Sequence, residues 1–296
     1  MQVGKAPMLL VDGQPLIRDA ACHAATSIIS RLAEIASVRS QVEQFLIADP
    51  PALARFKTVH VLQGEYAVMD AAHEPQSICL CSSEATTCCI LALSCQSSGR
   101  VGMVHFDQPG KEQAKCLAPL LHGMLDPELY IVGGFTEATE CGHRTAETLL
   151  SSLEDTDLPI HVRLACTGQF NTTLTGAPRC CSLALKRTNL GMSAAPVGDG
   201  IDKGPQAVQR LARLWTRPVP DCQNIYDTTR QTLRVPNFSK HLSRQQAQTF
   251  RALLELPDDH FLSFVSTSPK HEADAFVPGD NWSAHFPTGT ACQHAA

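Results

Sequence analysis

Long apolar runs are missing from this 296-residue chain. None approaches the ~18 residues of a membrane-spanning helix, and the first apolar stretch meets Asp12 and Gln14 too soon to read as a secretory signal. Positive charge is not in excess either: 24 Lys and Arg stand against 29 Asp and Glu, a formal net charge of −5. No nucleic-acid partner and no membrane surface is therefore expected. Metal-ligand spacing is absent too. Cys79-x-Cys81 and the adjacent pairs Cys88-Cys89 and Cys180-Cys181 do not chelate well, since neighbours in a strand point to opposite faces. Gly133-Gly134 is not followed by the Lys-Ser/Thr of a phosphate loop. Neither a metal nor a cofactor is expected, and no internal repeat or low-complexity linker interrupts the chain.

What is present is ordinary for a globular protein: 44% hydrophobic and 18% charged residues. We expect one domain over 1–278 and an aperiodic tail over 279–296. Thirteen cysteines, an odd number without a disulfide framework, point to a reducing compartment: the cytoplasm, or cytoplasm and nucleus. The sequons at Asn171, Asn237 and Asn281 then carry no weight.

Periodicity predicts helices over 18–48, 111–124, 140–153 and 243–256, with another starting at Asp202-Lys-Gly-Pro205 and carrying Val208, Leu211, Ala212, Leu214 and Trp215. Strands are predicted over 58–70, 77–81, 88–95, 101–107, 129–132, 160–166, 180–187, 224–227, 232–235 and 261–265. Hairpins join the central strands, without regular β-α-β alternation. That argues for an α+β fold with mostly antiparallel sheets and flanking helices.

The chemistry is concentrated in residues 82–109. A polar, turn-forming run, Glu84-Ala-Thr-Thr87, delivers Cys88 to the entrance of an apolar strand; the turn 96–100 follows, and a second strand ends near His105. An antiparallel pairing sets Cys88 opposite His105 across the ladder. A thiol beside an imidazole is an activated nucleophile. A cysteine is more often a small core residue, which is how Cys79, Cys81, Cys89 and Cys95 read; the strand-entrance position separates Cys88 from them. Gly133-Gly134 reads either as a strand-closing turn or as backbone that a substrate approaches closely. Glu84 and Asp107, next to the pair, are candidates to hold a substrate ammonium.

Ser83-Glu-Ala-Thr-Thr-Cys88 and His105-Phe-Asp107 resemble the signature of the protein N-terminal asparagine amidohydrolases. The likeness continues through Pro7-Met-Leu-Leu-Val-Asp-Gly13, His60-Val-Leu-Gln-Gly-Glu-Tyr-Ala-Val68, Leu129-Tyr-Ile-Val-Gly-Gly-Phe135, Ile225-Tyr-Asp227 and Ser266-Thr-Ser-Pro269, in the family's order. The chain departs from the pattern at Cys89, where the family commonly has histidine, at Glu84, where aspartate is frequent, and in the residues Met1 to Ala6 before Pro7.

The resemblance implies an α-β-β-α sandwich like that of toxin-type Cys/His deamidases. It implies deamidation of an N-terminal Asn side chain to Asp, with polypeptides bearing that residue as partners and an N-degron pathway as the destination. Cys88 would attack the amide carbon, His105 would manage the protons, and backbone donors near Thr87 or Cys88 would meet the oxyanion. Glu84, Thr87, Asp107, Gly133 and Gly134 would line the substrate. Two rivals remain at this point: a non-catalytic interaction protein of the same fold, and a cysteine peptidase or transglutaminase-like enzyme.

Overall fold

A computed structural model describes residues 9–16, 27–70, 77–107, 113–188, 191–198, 201–205, 222–235 and single positions between 207 and 270. The chain groups into two compact units, Met1–Phe238 and Ser239–Ala296. The second has only isolated described positions. The predicted strand 261–265, the Ser266–Pro269 landmark and the tail 279–296 lie outside the described residues, as do Pro7, Met8, residues 18–26, Val208, Leu211, Ala212, Leu214, Trp215 and half of 243–256.

In chain order, unit one runs β1 (Leu9–Val11), β2 (Gln14–Pro15), α1 (Ile28–Glu34), α2 (Ala36–Leu46), β3 (Lys57–His60), β4 (Glu65–Asp70), β5 (Ile78–Ser82), β6 (Cys89–Cys95), β7 (Arg100–Phe106), α3 (Leu117–Leu121), β8 (Glu128–Phe135), α4 (Cys141–Glu154), β9 (Ile160–Gly168), β10 (Leu183–Thr188), β11 (Gly191–Ala195), β12 (Gln223–Asn224), β13 (Tyr226–Asp227) and β14 (Thr232–Leu233). Among the described residues there is a large sheet of order β12-β4-β7-β6-β8-β9-β1-β2, a smaller one of order β11-β10-β5-β3, and the hairpin β13-β14. The centre β4-β7-β6-β8 is antiparallel; β9 joins it in parallel. This is the α+β class expected.

The site depends on how the layers stack. Every residue of β6 is buried, so this strand is apolar on both faces rather than alternating. One face carries Cys89 toward α4, where a Cβ on Gly134 would fall 2.8 Å from Gly142 O and 2.9 Å from Cys89 Sγ. On that same face α3 packs Leu120 over Gly102. The opposite face carries Ile90 and its partner His105, and there the smaller sheet covers it: Ile78, Leu80 and Ser82 of β5 point inward, while Cys79 and Cys81 point outward against Leu53, Phe56, Val197 and Ile201.

Several predicted elements are divided. The expected helix over 18–48 is interrupted where Ile35 turns extended, at φ −83 and ψ 119, although its apolar spacing runs straight through. The expected strand 58–70 is two strands belonging to different sheets, parted at Gly64. The helix expected over 111–124 shortens to α3 behind a 3-10 turn, Gln113–Cys116.

Candidate active site

The ladder fixes where the two principal side chains lie. His105 pairs with Ile90, and Cys89 with Phe106; Cys88 therefore sits one step beyond β6, in the bend 86–88. The direct opposition expected of Cys88 and His105 is corrected to a diagonal one: Cys88 lies two residues before His105's partner. The strand begins one residue later than predicted because the chain is still turning at Thr87. In this register Cys88 stands diagonally across from His105, the spacing at which long side chains on neighbouring strands still come within reach. Cys88 retains 8% exposure while Cys89 has none. Burial, with the Cys141 thiol nearby, pushes the Cys89 thiol well above its ordinary range, so the two adjacent cysteines occupy chemically different places.

Glycines hold the Cys88 bend. The strand expected to close at Gly133-Gly134 instead continues through them to Phe135, with a bulge against β9. At φ +108 a Cβ on Gly133 would lie 2.3 Å from Cys88 O and 3.1 Å from Ala85 O. Gly134 N–H donates to Cys88 O at 2.8 Å and to Thr86 O at 3.0 Å. The close approach made possible by these glycines is to the backbone of Cys88 itself. Ala85 N–H donates to Cys181 O at 2.8 Å, and Thr86 and Thr87 are buried, so the bend is pinned along its length.

His105 is oriented by a residue that sequence reasoning missed. Ser82, at the end of β5 and fully buried, gives its hydroxyl hydrogen to Val61 O at 2.6 Å. Its oxygen then accepts from His105 Nδ1 at 2.9 Å. That network assigns the hydrogen to Nδ1 and leaves the lone pair on Nε2, a buried nitrogen without a hydrogen-bond partner among the described residues. Burial first, and then the Lys203 charge, push His105 down to about 3. The imidazole is neutral at neutral pH, in the tautomer that a general base requires. The available signal was a hydroxyl on the otherwise apolar face Ile78, Leu80, Ser82.

A second histidine lies close by. His60 ends β3, shares a hydrogen bond with Ser83 Oγ through Nε2 at 3.2 Å and leaves Nδ1 buried and, among the described residues, unpartnered. Burial, then Lys203, Arg210 and His105, push it down to about 3. Beneath it is a buried ion pair: Arg210 donates to Glu65 through Nε at 3.0 Å and through a terminal nitrogen at 2.6 Å, to His60 O at 2.6 Å and to Lys203 O at 2.8 Å. Leu62 N–H adds a bond to the same carboxylate. These extra bonds are what a buried ion pair needs to offset its desolvation.

The carboxylates part company. Glu84 stands at φ +64, and its Oε1 is 2.5 Å from Lys203 Nζ. Asp107 is half-buried; burial and Glu137 raise the Cys141 thiol, and Asp107 adds a smaller push in the same direction. Glu84 is thus linked to the charge that acts on both imidazoles. Among the described residues no group of three or more His, Cys, Asp or Glu side chains is placed to hold a metal ion, and no helix is long and apolar enough to cross a membrane.

Residues 50–286 match the family model described as protein N-terminal asparagine amidohydrolase. The chain is similar to the Sus scrofa protein of that name, at 25% identity over 236 residues, covering 74% of this chain and 70% of that one. The Mus musculus protein of the same name is 26% identical over 230 residues, covering 74% and 71%.

Proposed function

The chain belongs to the protein N-terminal asparagine amidohydrolase family, and on that premise we propose that it deamidates the side chain of an N-terminal Asn through Cys88 and His105. The observation that carries this reading is the His105–Ser82 bond: it leaves the lone pair on a buried Nε2, diagonally across the ladder from Cys88.

In this mechanism Cys88 sulfur attacks the side-chain amide carbon while its proton passes to His105 Nε2. Because the resting imidazole is neutral, transfer accompanies attack rather than preceding it as a standing ion pair. The oxyanion is met by backbone N–H groups of the Thr87-Cys88 bend, which Gly133 and Gly134 hold in place. The C–N bond breaks as His105 returns the proton to nitrogen, and ammonia leaves a thioester on Cys88. His105 then takes a proton from water, hydroxide adds to the thioester, and Asp departs as the thiol is restored. Glu84 is the residue proposed to receive the substrate's α-ammonium, with Asp107 second.

The product carries an N-terminal aspartate, which we place upstream of an N-degron pathway. Thirteen cysteines without disulfide-framework spacing are the ground on which we place the protein in a reducing compartment, cytoplasmic or nuclear. The test is mass spectrometry with ammonia detection on paired Asn- and Gln-initiated peptides. Ammonia from the Asn peptide with the chain intact is expected; chain cleavage would favour the peptidase rival, and no reaction the interaction protein.

A further inference from the structure

Lys203 is a long way from Glu84 in sequence, yet its ammonium rests on that carboxylate at 2.5 Å, with the side chains 20% and 27% exposed. It is anchored from behind. Its carbonyl accepts from Arg210, which is itself locked on buried Glu65, so the backbone at Lys203 is fixed while its flexible stem and charged head can swing to water. The head's charge is also felt by His60 and His105. A primary ammonium therefore already occupies the carboxylate four residues before Cys88.

The α-ammonium of a polypeptide is the same chemical group, with three donors and one positive charge. We propose that Lys203 is a specificity-determining residue that holds the α-ammonium position on Glu84 in the empty site and yields it to the incoming N-terminus. This rests on the reading of Glu84 given above. Binding becomes an exchange of one ammonium for another, so Glu84 is never left as a lone, half-buried carboxylate and no net charge is added beside the imidazoles. A substrate with a blocked N-terminus has nothing to exchange: it must bind with Lys203 in the way, or strand Glu84. The same device lowers affinity for the proper substrate, because an internal competitor has to be displaced.

The test is steady-state kinetics of the full chain with Lys203→Met, Lys203→Gln as a second variant should the first fold poorly, Glu84→Gln, and the Lys203→Met/Glu84→Gln double variant, on a free-amine Asn peptide. Since ion pairs that water still reaches contribute little, Lys203→Met should lower KM about two- to fivefold; kcat shifts separately, because the Lys203 charge also acts on His105. In the Glu84→Gln background the same substitution should no longer lower KM. A KM that stays level or rises in Lys203→Met, or an equal fall with Glu84 already replaced, overturns the proposal. If the wild type releases no ammonia, the amidohydrolase reading fails instead. Calorimetric titration of the same peptide into wild type and Lys203→Met then decides the exchange separately, a tighter complex in the variant supporting it and an equal or weaker one refuting it.

Discussion

Replacing Ser82 by alanine separates the catalytic account from a purely structural one. The Ser82 hydroxyl joins Val61 O at 2.6 Å to His105 Nδ1 at 2.9 Å, in a place with no solvent exposure. Alanine orphans an acceptor and a donor together, and each buried group left unsatisfied costs ~1–3 kcal/mol, so unfolding free energy should fall by about 2 to 6 kcal/mol. The His105 ring also loses the partner that fixes its tautomer. A positioned general base is worth ~10² to 10⁴ in rate; losing its orientation alone should lower kcat by about 10- to 100-fold, with KM little changed. Ser82→Thr keeps the hydroxyl but forces a methyl into a filled site, at a cost of about 1 to 3 kcal/mol. The two variants should thus both melt lower than wild type and have different kcat values for ammonia release. Wild-type kcat in Ser82→Ala, or an equal loss in Ser82→Thr, would show that Ser82 only supports the sheet.

Three further outcomes are expected. Glu84→Gln should lose most of the preference for free over acetylated Asn peptides, measured as a ratio of kcat/KM; if Asp107→Asn loses it instead, the α-amino carboxylate is Asp107. Gly133→Ala must move its Cβ away from Cys88 O, 2.3 Å off, so it should reduce both activity and the alkylation rate of Cys88 well beyond its effect on the melting point; thiol-probe kinetics check this. His60 and His105, both pushed down to about 3, stay neutral in the folded protein while the unfolded chain takes up their protons as pH falls through ~6.5. Stability is then fully present above that value and drops on acidification by up to about 1.4 kcal/mol per pH unit for each histidine, and denaturant titrations of wild type and His60→Asn should show the variant with the shallower slope.

How far the sequence reveals this architecture depends on how local each signal is. The hairpin β6-β7 is legible: two strong strand patterns are joined by a short Ser-Ser-Gly turn, and its observed bounds fall within a residue or so of those predicted. Cys88 is recognisable because a polar run precedes an apolar strand. Whether Gly133-Gly134 ends a strand or bulges within one is not written locally, since the answer is the carbonyl of Cys88 on a neighbouring strand. Ser82 looks like any serine at a strand end until β5 is laid over β7. Lys203 and Arg210 act through partners 119 and 145 residues away, and neither periodicity nor turn chemistry reports such pairs. Glu65 is likewise indistinguishable from a surface glutamate without the Arg210 that buries it.

The central claim is that the Cys88 thiol, served by His105, converts an N-terminal Asn side chain to Asp. The most direct measurement is mass spectrometry of an Asn-initiated peptide incubated with purified wild type, Cys88→Ala and His105→Ala, with acid quenching to trap any acyl-enzyme. The account predicts Asp-initiated product and a trapped acyl group on Cys88 in the wild type, no turnover in folded Cys88→Ala, and turnover reduced by about 10² to 10⁴ in His105→Ala. Wild-type protein that leaves the peptide unchanged, or Cys88→Ala protein that deamidates it as well as the wild type, would contradict the account.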